Sequence, residues 1–393
     1  MVTLEKQRAG RPARLSSRCA GQSYYGLPPI KHSYYGAKTA MGFFLQGIGG
    51  SAQMIAALGD LIGREENRNL IRAGRVLAFL ASPGGPMFFV AALHTPRRWY
   101  NMLRIFRATS PMSIGIWTLA QMGLFNSLSL AGVFLERLGH ERLGKWLDRI
   151  FGSFAAAAGG LVSLYMGSEL EETSTPMWAG AFPLLTPFVG ATGFSNGAAA
   201  LSLATSLNGN SRDTRLRLQW IGAISSGVQI VLAGLMSAKL NDSLGPSTVH
   251  RAAMAVIRPA LILPAVLRFQ DMKFPKRSMS PAADVATLAG GAAVLGSLIS
   301  AGRRSGGTIE EYFRFTSIPR SRAEILPKIR PVLGAKLVRS KIAFWGGIGL
   351  AACIAAYFAL PQGRTGGRNG EPKDRAWHHR PGKDGREPRP SGG

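Results

Sequence analysis

The chain has 393 residues, 46% of them hydrophobic, and a formal net charge of +26. The charges occur in groups separated by apolar stretches of about 20 residues, the length that an α-helix needs to cross a bilayer core at about 1.5 Å per residue. This pattern excludes a soluble α/β domain, and basic residues beside apolar spans indicate membrane topology and anionic lipid rather than a nucleic-acid partner.

The chain is predicted to divide into five segments. Residues 1–33 form a basic polar lead-in, and residues 34–301 form the membrane body. A basic extramembrane loop over 302–341, an additional transmembrane helix over 342–359 and a disordered basic tail over 360–393 follow. The predicted fold is all-α, a polytopic transmembrane helix bundle of about eight spans plus a ninth C-terminal span. The eight apolar stretches of the body are 36–62, 74–93, 113–135, 148–167, 177–205, 217–238, 250–267 and 284–301.

Several positions inside these stretches are polar or break a helix. The second stretch is interrupted at 83–86, the fifth at Pro183 and Pro187, and the seventh at Pro259 and Pro264. The freed backbone groups must find partners on neighbouring helices or in water. Asp60 and Arg258 are the ionisable residues nearest the membrane interior, so they are candidates for a proton path or for a charge pair. For Asp60, snorkelling to the interface is the alternative. Five amides are expected to face other helices: Gln53, Gln121, Asn126, Asn196 and Gln229.

Basic and aromatic residues alternate between the second and third spans, over residues 94–113. Ser113 is predicted to be the N-cap of the third span. Trp, Tyr and Arg all favour the headgroup level, so an interfacial anchor is one interpretation. Docking of an acidic partner is the other. The residues concerned are Arg97, Arg98, Trp99, Tyr100, Arg104 and Arg107.

The short loops differ in charge between the two sides of the predicted bundle. Loops after the odd-numbered spans contain fifteen basic residues, whereas those after the second, fourth and sixth spans contain six. The positive-inside rule therefore predicts that the N-terminus lies outside and the C-terminal tail lies in the cytoplasm. The basic lead-in and the 302–341 loop would then both be external, against the rule.

A series of motifs runs from about residue 22 to residue 305. They are Tyr24-Tyr25-Gly26 with Lys31, Phe43-Phe44-Leu45 with Gly47 and Gly49-Gly50, Pro96 and Arg98, Asn101-Met102-Leu103-Arg104, Ser110-Pro111-Met112-Ser113, Tyr165 with Gly167, Thr175-Pro176-Met177-Trp178, and Gly197-Ala198-Ala199-Ala200. In these motifs the sequence resembles the NrfD/polysulfide reductase family, the quinone-interacting membrane anchors of multi-subunit oxidoreductases.

The resemblance implies a non-covalently bound menaquinone or ubiquinone between spans 2 and 5, near the 94–113 loop. The implied quinone-binding residues are Tyr165, His94 and Asn196. It also implies a bacterial inner-membrane location and two partners: a ferredoxin-like iron–sulfur subunit docked on that loop, and a catalytic molybdopterin or multihaem subunit. Cys19 and Cys353 are too few for an iron–sulfur site, and no histidine lies mid-span, so no cluster or haem is expected on this chain.

Tyr165 and Glu169 lie four residues apart, so their side chains share one face of the fourth span. A phenol can donate a hydrogen bond to a quinone carbonyl, and a carboxylate can accept a quinol proton, which makes Glu169 the candidate proton acceptor. Glu171 and Glu172 add acidic groups to the same helix end. The alternative is that all three glutamates are simply solvated.

The leading hypothesis is a quinol-interacting membrane anchor that exchanges electrons with an iron–sulfur partner. A transporter or channel is a second hypothesis, because secondary transporters also contain broken helices, although no inverted repeat is evident here. A docking anchor that does not bind quinone is a third. Solute uptake by the chain alone in liposomes would favour the transporter, and a co-purifying quinone would exclude the third hypothesis.

Overall fold

The computed structural model describes residues 28–31, 33–206, 212–273 and 280–317. Every regular element in these ranges is a helix, which confirms the predicted fold class. The predicted ninth span, the C-terminal tail and most of the N-terminal lead-in lie outside the described residues. In chain order the helices are α1 (Ala37–Gly63), α2 (Arg68–Ala92), α3 (Asn101–Arg104), α4 (Pro111–Arg137), α5 (Glu141–Glu171), α6 (Pro176–Gly180), α7 (Leu185–Ser206), α8 (Arg212–Leu244), α9 (Thr248–Lys273), α10 (Ser280–Gly307) and α11 (Ile309–Ser317).

Seven of these helices are long and apolar enough to cross a membrane: α1, α2, α4, α5, α8, α9 and α10. The protein is therefore a multi-pass membrane protein. The remaining long helix, α7, has 22 residues, and most of its side chains are buried against other helices. Its polar residues include Thr192, Ser195 and Asn196, which face protein rather than lipid. A helix enclosed in this way does not need the apolar surface that contact with lipid requires.

The long helices pack as two groups of four. One group consists of α1, α2, α4 and α5, the other of α7 to α10, and α7 joins them by packing against α1 and α5. Successive long helices run in opposite directions. The start of α1, the 93–110 loop, the end of α5, the start of α9 and α11 therefore share one end of the bundle, here called the proximal end. The loops at 64–67 and 138–140 lie at the other, distal end.

Helix α2 passes through both of its prolines, so the predicted interruption at 83–86 is wrong. Helix α9 likewise passes through Pro259 and Pro264, so the predicted breaks there are also wrong. Pro86 has no N–H to bond the carbonyl of Ser82, four residues earlier. The side-chain amide of Gln46 on α1 donates to that carbonyl oxygen at 3.3 Å. The neighbouring helix thus satisfies the freed group, as expected, and the helix continues without a break.

The fifth predicted span is two helices, α6 and α7, separated by residues 181–184 around Pro183. The carboxylate of Glu171, at the end of α5, accepts hydrogen bonds from the backbone N–H groups of Leu185 (2.8 Å) and Thr186 (3.2 Å). These are two of the unpaired donors at the start of a helix, and a negative charge there is favourable. Glu171 therefore caps α7, and the interpretation that it is simply solvated is wrong.

Candidate functional site

The predicted pair Tyr165 and Glu169 lies at the proximal end, on the last turns of α5, where both residues are half-buried. The phenol of Tyr35, just before α1, donates a hydrogen bond to Oε1 of Glu169 at 2.6 Å. The phenol of Tyr165 donates to the backbone carbonyl of Pro111, the first residue of α4, at 3.1 Å. Two phenols and one carboxylate therefore meet where α1, α4 and α5 come together.

Aromatic rings surround this group. The ring of Phe43 on α1 lies 4.8 Å from that of Phe89 on α2 and 6.4 Å from that of Tyr165, measured between centroids. The ring of Tyr35 meets the buried ring of Trp178 on α6 edge-on at 5.9 Å. The carboxylate and phenols thus lie beside flat, apolar side chains from three helices.

The electrostatics of Tyr35 follow from its position before α1. Burial raises the pKa of this phenol above its ordinary value, and the adjacent Glu169 carboxylate raises it further. A phenolate would be destabilised both by desolvation and by the neighbouring negative charge. Tyr35 therefore stays protonated and acts as a hydrogen-bond donor to Glu169.

Sequence reasoning missed Tyr35. The motif Ser-Tyr-Tyr-Gly occurs twice, ending at Gly26 and at Gly36, and the resemblance was assigned to the first copy. The structure places Tyr35, from the second copy, against Glu169, whereas the first copy lies outside the described residues. The exact repeat ten residues on, directly before an apolar span, was the feature that could have identified it.

The other two implied quinone-binding residues lie apart from Tyr165. His94 is exposed just beyond the end of α2. Asn196 is buried halfway along α7, eleven residues and roughly 16 Å from the proximal start of that helix. Its amide lies directly against Gly291 of α10, where a Cβ would approach Asn196 Oδ1 to 2.2 Å. Of the amides expected to face other helices, Gln121 is exposed, so that prediction is wrong for this residue.

The 94–107 segment is a surface feature of the proximal end. The segment contains a 3₁₀ turn at Pro96–Arg98 and the short helix α3, and its four arginines are exposed. Trp99 and Tyr100 are 46% and 53% exposed, so rings and cations are both accessible. The predicted N-cap Ser113 is wrong: Ser110 caps α4 by accepting from the Ser113 N–H at 3.4 Å. The Ser113 hydroxyl instead accepts from the backbone N–H of Arg107 at 3.0 Å.

Asp60 belongs to an ion-pair network at the distal end. Its carboxylate pairs with Arg64 at 2.7 Å and with Arg149 at 3.5 Å. Arg64 also pairs with Glu136 on α4 and, at 3.0 Å, with the carboxylate of Asp148 on α5. The network thus joins three helices. Its size shows that Asp60 is held by protein partners and does not simply snorkel to the interface.

Two arginines counted as loop charges are inside the bundle. Arg75 Nε pairs with Asp148 Oδ1 at 2.7 Å, and Arg268 pairs with Asp284 at 3.5 Å and donates to Thr287 at 3.0 Å. Both arginines are 1% exposed. Without them the odd-numbered loops contain thirteen basic residues, still more than the six on the other side. The predicted orientation therefore does not depend on them.

Arg258, the second residue predicted for a proton path, is exposed on α9 and lines a cavity between α8 and α9. It lies about 15 Å along α9 from the proximal end, whereas Asp60 lies at the distal end. The two candidates therefore do not belong to one local group. Within the described ranges, no group of three or more His, Cys, Asp or Glu side chains could hold a metal ion.

A bundle with seven candidate spans defines the class of protein: a polytopic helical membrane protein, here with a carboxylate–phenol group at one end of the bundle. Residues 30–261, more than half of the chain, match the family described as polysulphide reductase, NrfD, and the chain belongs to this family. Membership makes it a membrane subunit of a respiratory oxidoreductase with a quinone-related role. No curated protein matches the sequence.

Proposed function

We propose that this chain is the quinol-binding membrane anchor of a multi-subunit oxidoreductase and passes electrons between quinol and an iron–sulfur partner. The observation that carries the proposal is the hydrogen bond between Tyr35 and Glu169, one turn from Tyr165 and beside the rings of Phe43 and Trp178. Quinol oxidation needs a proton acceptor and hydrogen-bond donors next to a flat apolar surface, and these residues supply each of them.

The residues of this group fit a quinone headgroup. The phenol of Tyr165, which donates to the Pro111 carbonyl here, can donate instead to a carbonyl oxygen of the headgroup. The rings of Phe43 and Phe89 offer surfaces for its ring. When bound, a menaquinol or ubiquinol supplies two electrons and two protons. Glu169 is half-buried, so its carboxylate can face both a headgroup and water. Tyr35 holds Oε1 of that carboxylate, and we expect a proton to be taken up at Oε2.

The 94–107 segment is proposed to dock the iron–sulfur subunit, which in turn would connect to a molybdopterin or multihaem catalytic subunit. This segment and the Tyr35–Glu169 pair are both at the proximal end, so a docked cluster would lie on the quinol side of the bundle. With the N-terminus outside a bacterial inner membrane, that side is the periplasmic one. The exposed arginines favour an acidic partner surface.

The test uses conservative changes in membranes that contain the whole complex. Tyr35→Phe and Tyr165→Phe each remove one hydroxyl, and a hydrogen bond typically contributes about 0.5–1.5 kcal/mol, so quinol affinity or turnover should fall several-fold. Glu169→Gln should slow turnover and change its pH profile, because an amide cannot take up the proton. The measurement is quinol-dependent electron transfer to the partner subunits.

Tyr34→Phe is the matched control. Tyr34 precedes Tyr35 and is 71% exposed, so removing its hydroxyl should leave rates at the wild-type level. Wild-type rates, quinol affinity and pH profile in the Tyr165→Phe and Glu169→Gln proteins would exclude this group as the quinol site, although family membership would stand.

A further inference from the structure

A cavity of about 410 Å³, lined by both polar and apolar side chains, lies between α8 and α9, near the proximal end. It is lined by Ser237, Asn241, His250, Arg251, Met254, Ala255, Arg258 and Pro259. No acidic residue is among them. A cavity of this size and polarity, on the outer surface of a membrane bundle, is large enough for a phosphate group and the atoms attached to it.

Two arginines give the cavity its charge. Arg251 and Arg258 are seven residues apart, so they lie on the same face of α9. Both are exposed, and in the described part of the chain neither guanidinium forms an ion pair. An unpaired guanidinium about 15 Å along a membrane-spanning helix is costly unless an anion or water reaches it. The pair therefore favours a negatively charged ligand.

The third polar group is His250, which is 2% exposed and lines the same cavity. Its Nε2 is hydrogen-bonded to the hydroxyl of Ser237 at 3.1 Å, whereas its buried Nδ1 has no hydrogen-bond partner among the described residues. A buried polar atom without a partner is unusual and indicates a missing ligand or water. The hydroxyl of Ser247 accepts from the backbone N–H of His250 at 3.0 Å and fixes this turn of α9.

Apolar side chains continue from the cavity along α9 towards the middle of the bundle. Ile262 and Val266 are 50% and 46% exposed, and they lie four and eight residues beyond Arg258, on or near the same face of the helix. Such surface suits acyl chains, so the site combines a headgroup-sized, positively charged cavity with a hydrocarbon-facing surface.

We propose that this cavity binds the headgroup of an anionic phospholipid. The phosphate lies between Arg251 and Arg258, and the amide of Asn241 and the imidazole of His250 supply further hydrogen bonds. The acyl chains run along the exposed aliphatic side chains of α9. A soluble phosphate has the same anionic chemistry, but it would leave this apolar surface without a partner.

The test is native mass spectrometry of the purified full-length chain in detergent with added phosphatidylglycerol, phosphatidylcholine or inorganic phosphate. The wild type should retain one phosphatidylglycerol per chain, which should also raise its Tm, whereas the other two additives should do neither. The Arg251→Gln/Arg258→Gln protein should lose this retention and this rise in Tm. The Arg142→Gln/Arg304→Gln protein loses two exposed arginines outside the cavity, so it should behave as the wild type.

Arg251→Lys/Arg258→Lys keeps the charge and should retain most of the lipid. If the double glutamine protein cannot be purified, the single Arg251→Gln protein, altered at the start of α9, should show at least a several-fold loss of retention. Equal retention in the wild type and the cavity variants would overturn the proposal. Protection by inorganic phosphate, or equal retention of phosphatidylcholine, would overturn the assignment to an anionic lipid.

Discussion

Arg75 and Asp148 are charged residues in membrane-crossing helices, yet they are 1% and 0% exposed. The guanidinium lies directly over Gly152, where a Cβ would be 2.3 Å from Arg75 Nη2, so no larger residue fits there without displacing the arginine. The hydroxyl of Ser129 donates to the same carboxylate oxygen at 2.7 Å. Arg64 also pairs with this carboxylate, at 3.0 Å, so three partners offset the desolvation of Asp148, whereas Asp148 is the counter-ion of Arg75.

Changing Asp148 to Asn should therefore be strongly destabilising. The amide keeps the size of the side chain but leaves Arg75 as a buried charge without a counter-ion, and breaking a buried pair typically costs about 3–5 kcal/mol. The measurement is the Tm of the purified chain in detergent. Lys145→Gln is the control, since it breaks the exposed Lys145–Glu141 pair, which contributes at most about 1 kcal/mol. Similar Tm values for the two variants would argue against a structural role for the buried pair.

For single residues, spacing along the sequence predicted relations within one helix but not contacts between residues far apart in the chain. The four-residue separation of Tyr165 and Glu169 correctly predicted a shared helix face, because that relation is set within one helix. The contact between Tyr35 and Glu169 joins residues 134 positions apart, so no periodicity could reveal it. The outward position of Gln121 depends likewise on how α4 is rotated against its neighbours.

Among the elements, α11 shows how a short helix is fixed to the bundle. Its Glu311 is 4% exposed and accepts a hydrogen bond from the hydroxyl of Ser247, the residue that caps the start of α9. Burial raises the pKa of Glu311, and the neighbouring charge of Glu310 raises it further, while the bond from Ser247 opposes both. The protonated form is therefore favoured in the folded protein more than in the unfolded chain.

This raised pKa gives a pH-dependent stability. The folded state binds the proton more tightly, so the contribution is complete below the unfolded glutamate pKa of about 4.3 and is lost as pH rises through the higher folded value. Glu311→Gln cannot ionise, so its Tm relative to the wild type should increase between pH 5 and pH 8. Glu141, an exposed glutamate at the start of α5, is the control: Glu141→Gln should show no such trend. A pH-independent difference for Glu311→Gln would contradict the prediction.

The sequence located the long helices well and their interruptions poorly. The lengths of the apolar stretches predicted the positions of the eight body helices, because a helix that crosses a bilayer needs about 20 consecutive apolar residues. Proline alone could not decide where a helix ends. Helix α2 continues through Pro83 and Pro86, and Gln46 satisfies the carbonyl of Ser82 that Pro86 leaves free. Around Pro183 the helix ends, and a new helix, α7, begins where Glu171 accepts a hydrogen bond from its first residue. Both outcomes depend on side chains from other helices.

For the molecule as a whole, the two ends of the bundle differ in chemistry. The proximal end has the phenol–carboxylate group and the exposed arginines of the 94–107 segment. The distal end has the Asp148 network in the first group of helices and the Arg268–Asp284 pair in the second. Exposed arginines occur at both ends, for example Arg137 and Arg142 at the distal end. The arginines of the 94–107 segment differ in lying at the same end as the phenol–carboxylate group, and the docking proposal rests on this shared position.

Reversing charge on the 94–107 segment should detach the partner. In the Arg98→Glu/Arg104→Glu protein, the exposed cations become anions that repel an acidic surface, so co-purification of the iron–sulfur subunit should fall at least tenfold. The chain itself should still insert, because both positions are exposed. Arg137→Glu/Arg142→Glu makes the same change in charge at exposed distal positions and should leave co-purification intact. Retention of the partner by the first variant would exclude this segment as the docking surface.

The enclosure of α7 has a consequence for biogenesis. With Thr192, Ser195 and Asn196 buried against protein, this helix carries polar groups that partition poorly into lipid on their own. Its earliest available neighbours are α1 and α5, which are synthesised before it and already pack against it in the finished bundle. We therefore expect α7 to leave the translocon onto a preassembled first group of helices. The order of synthesis would then allow a helix that is too polar to be stable alone in lipid to insert stably.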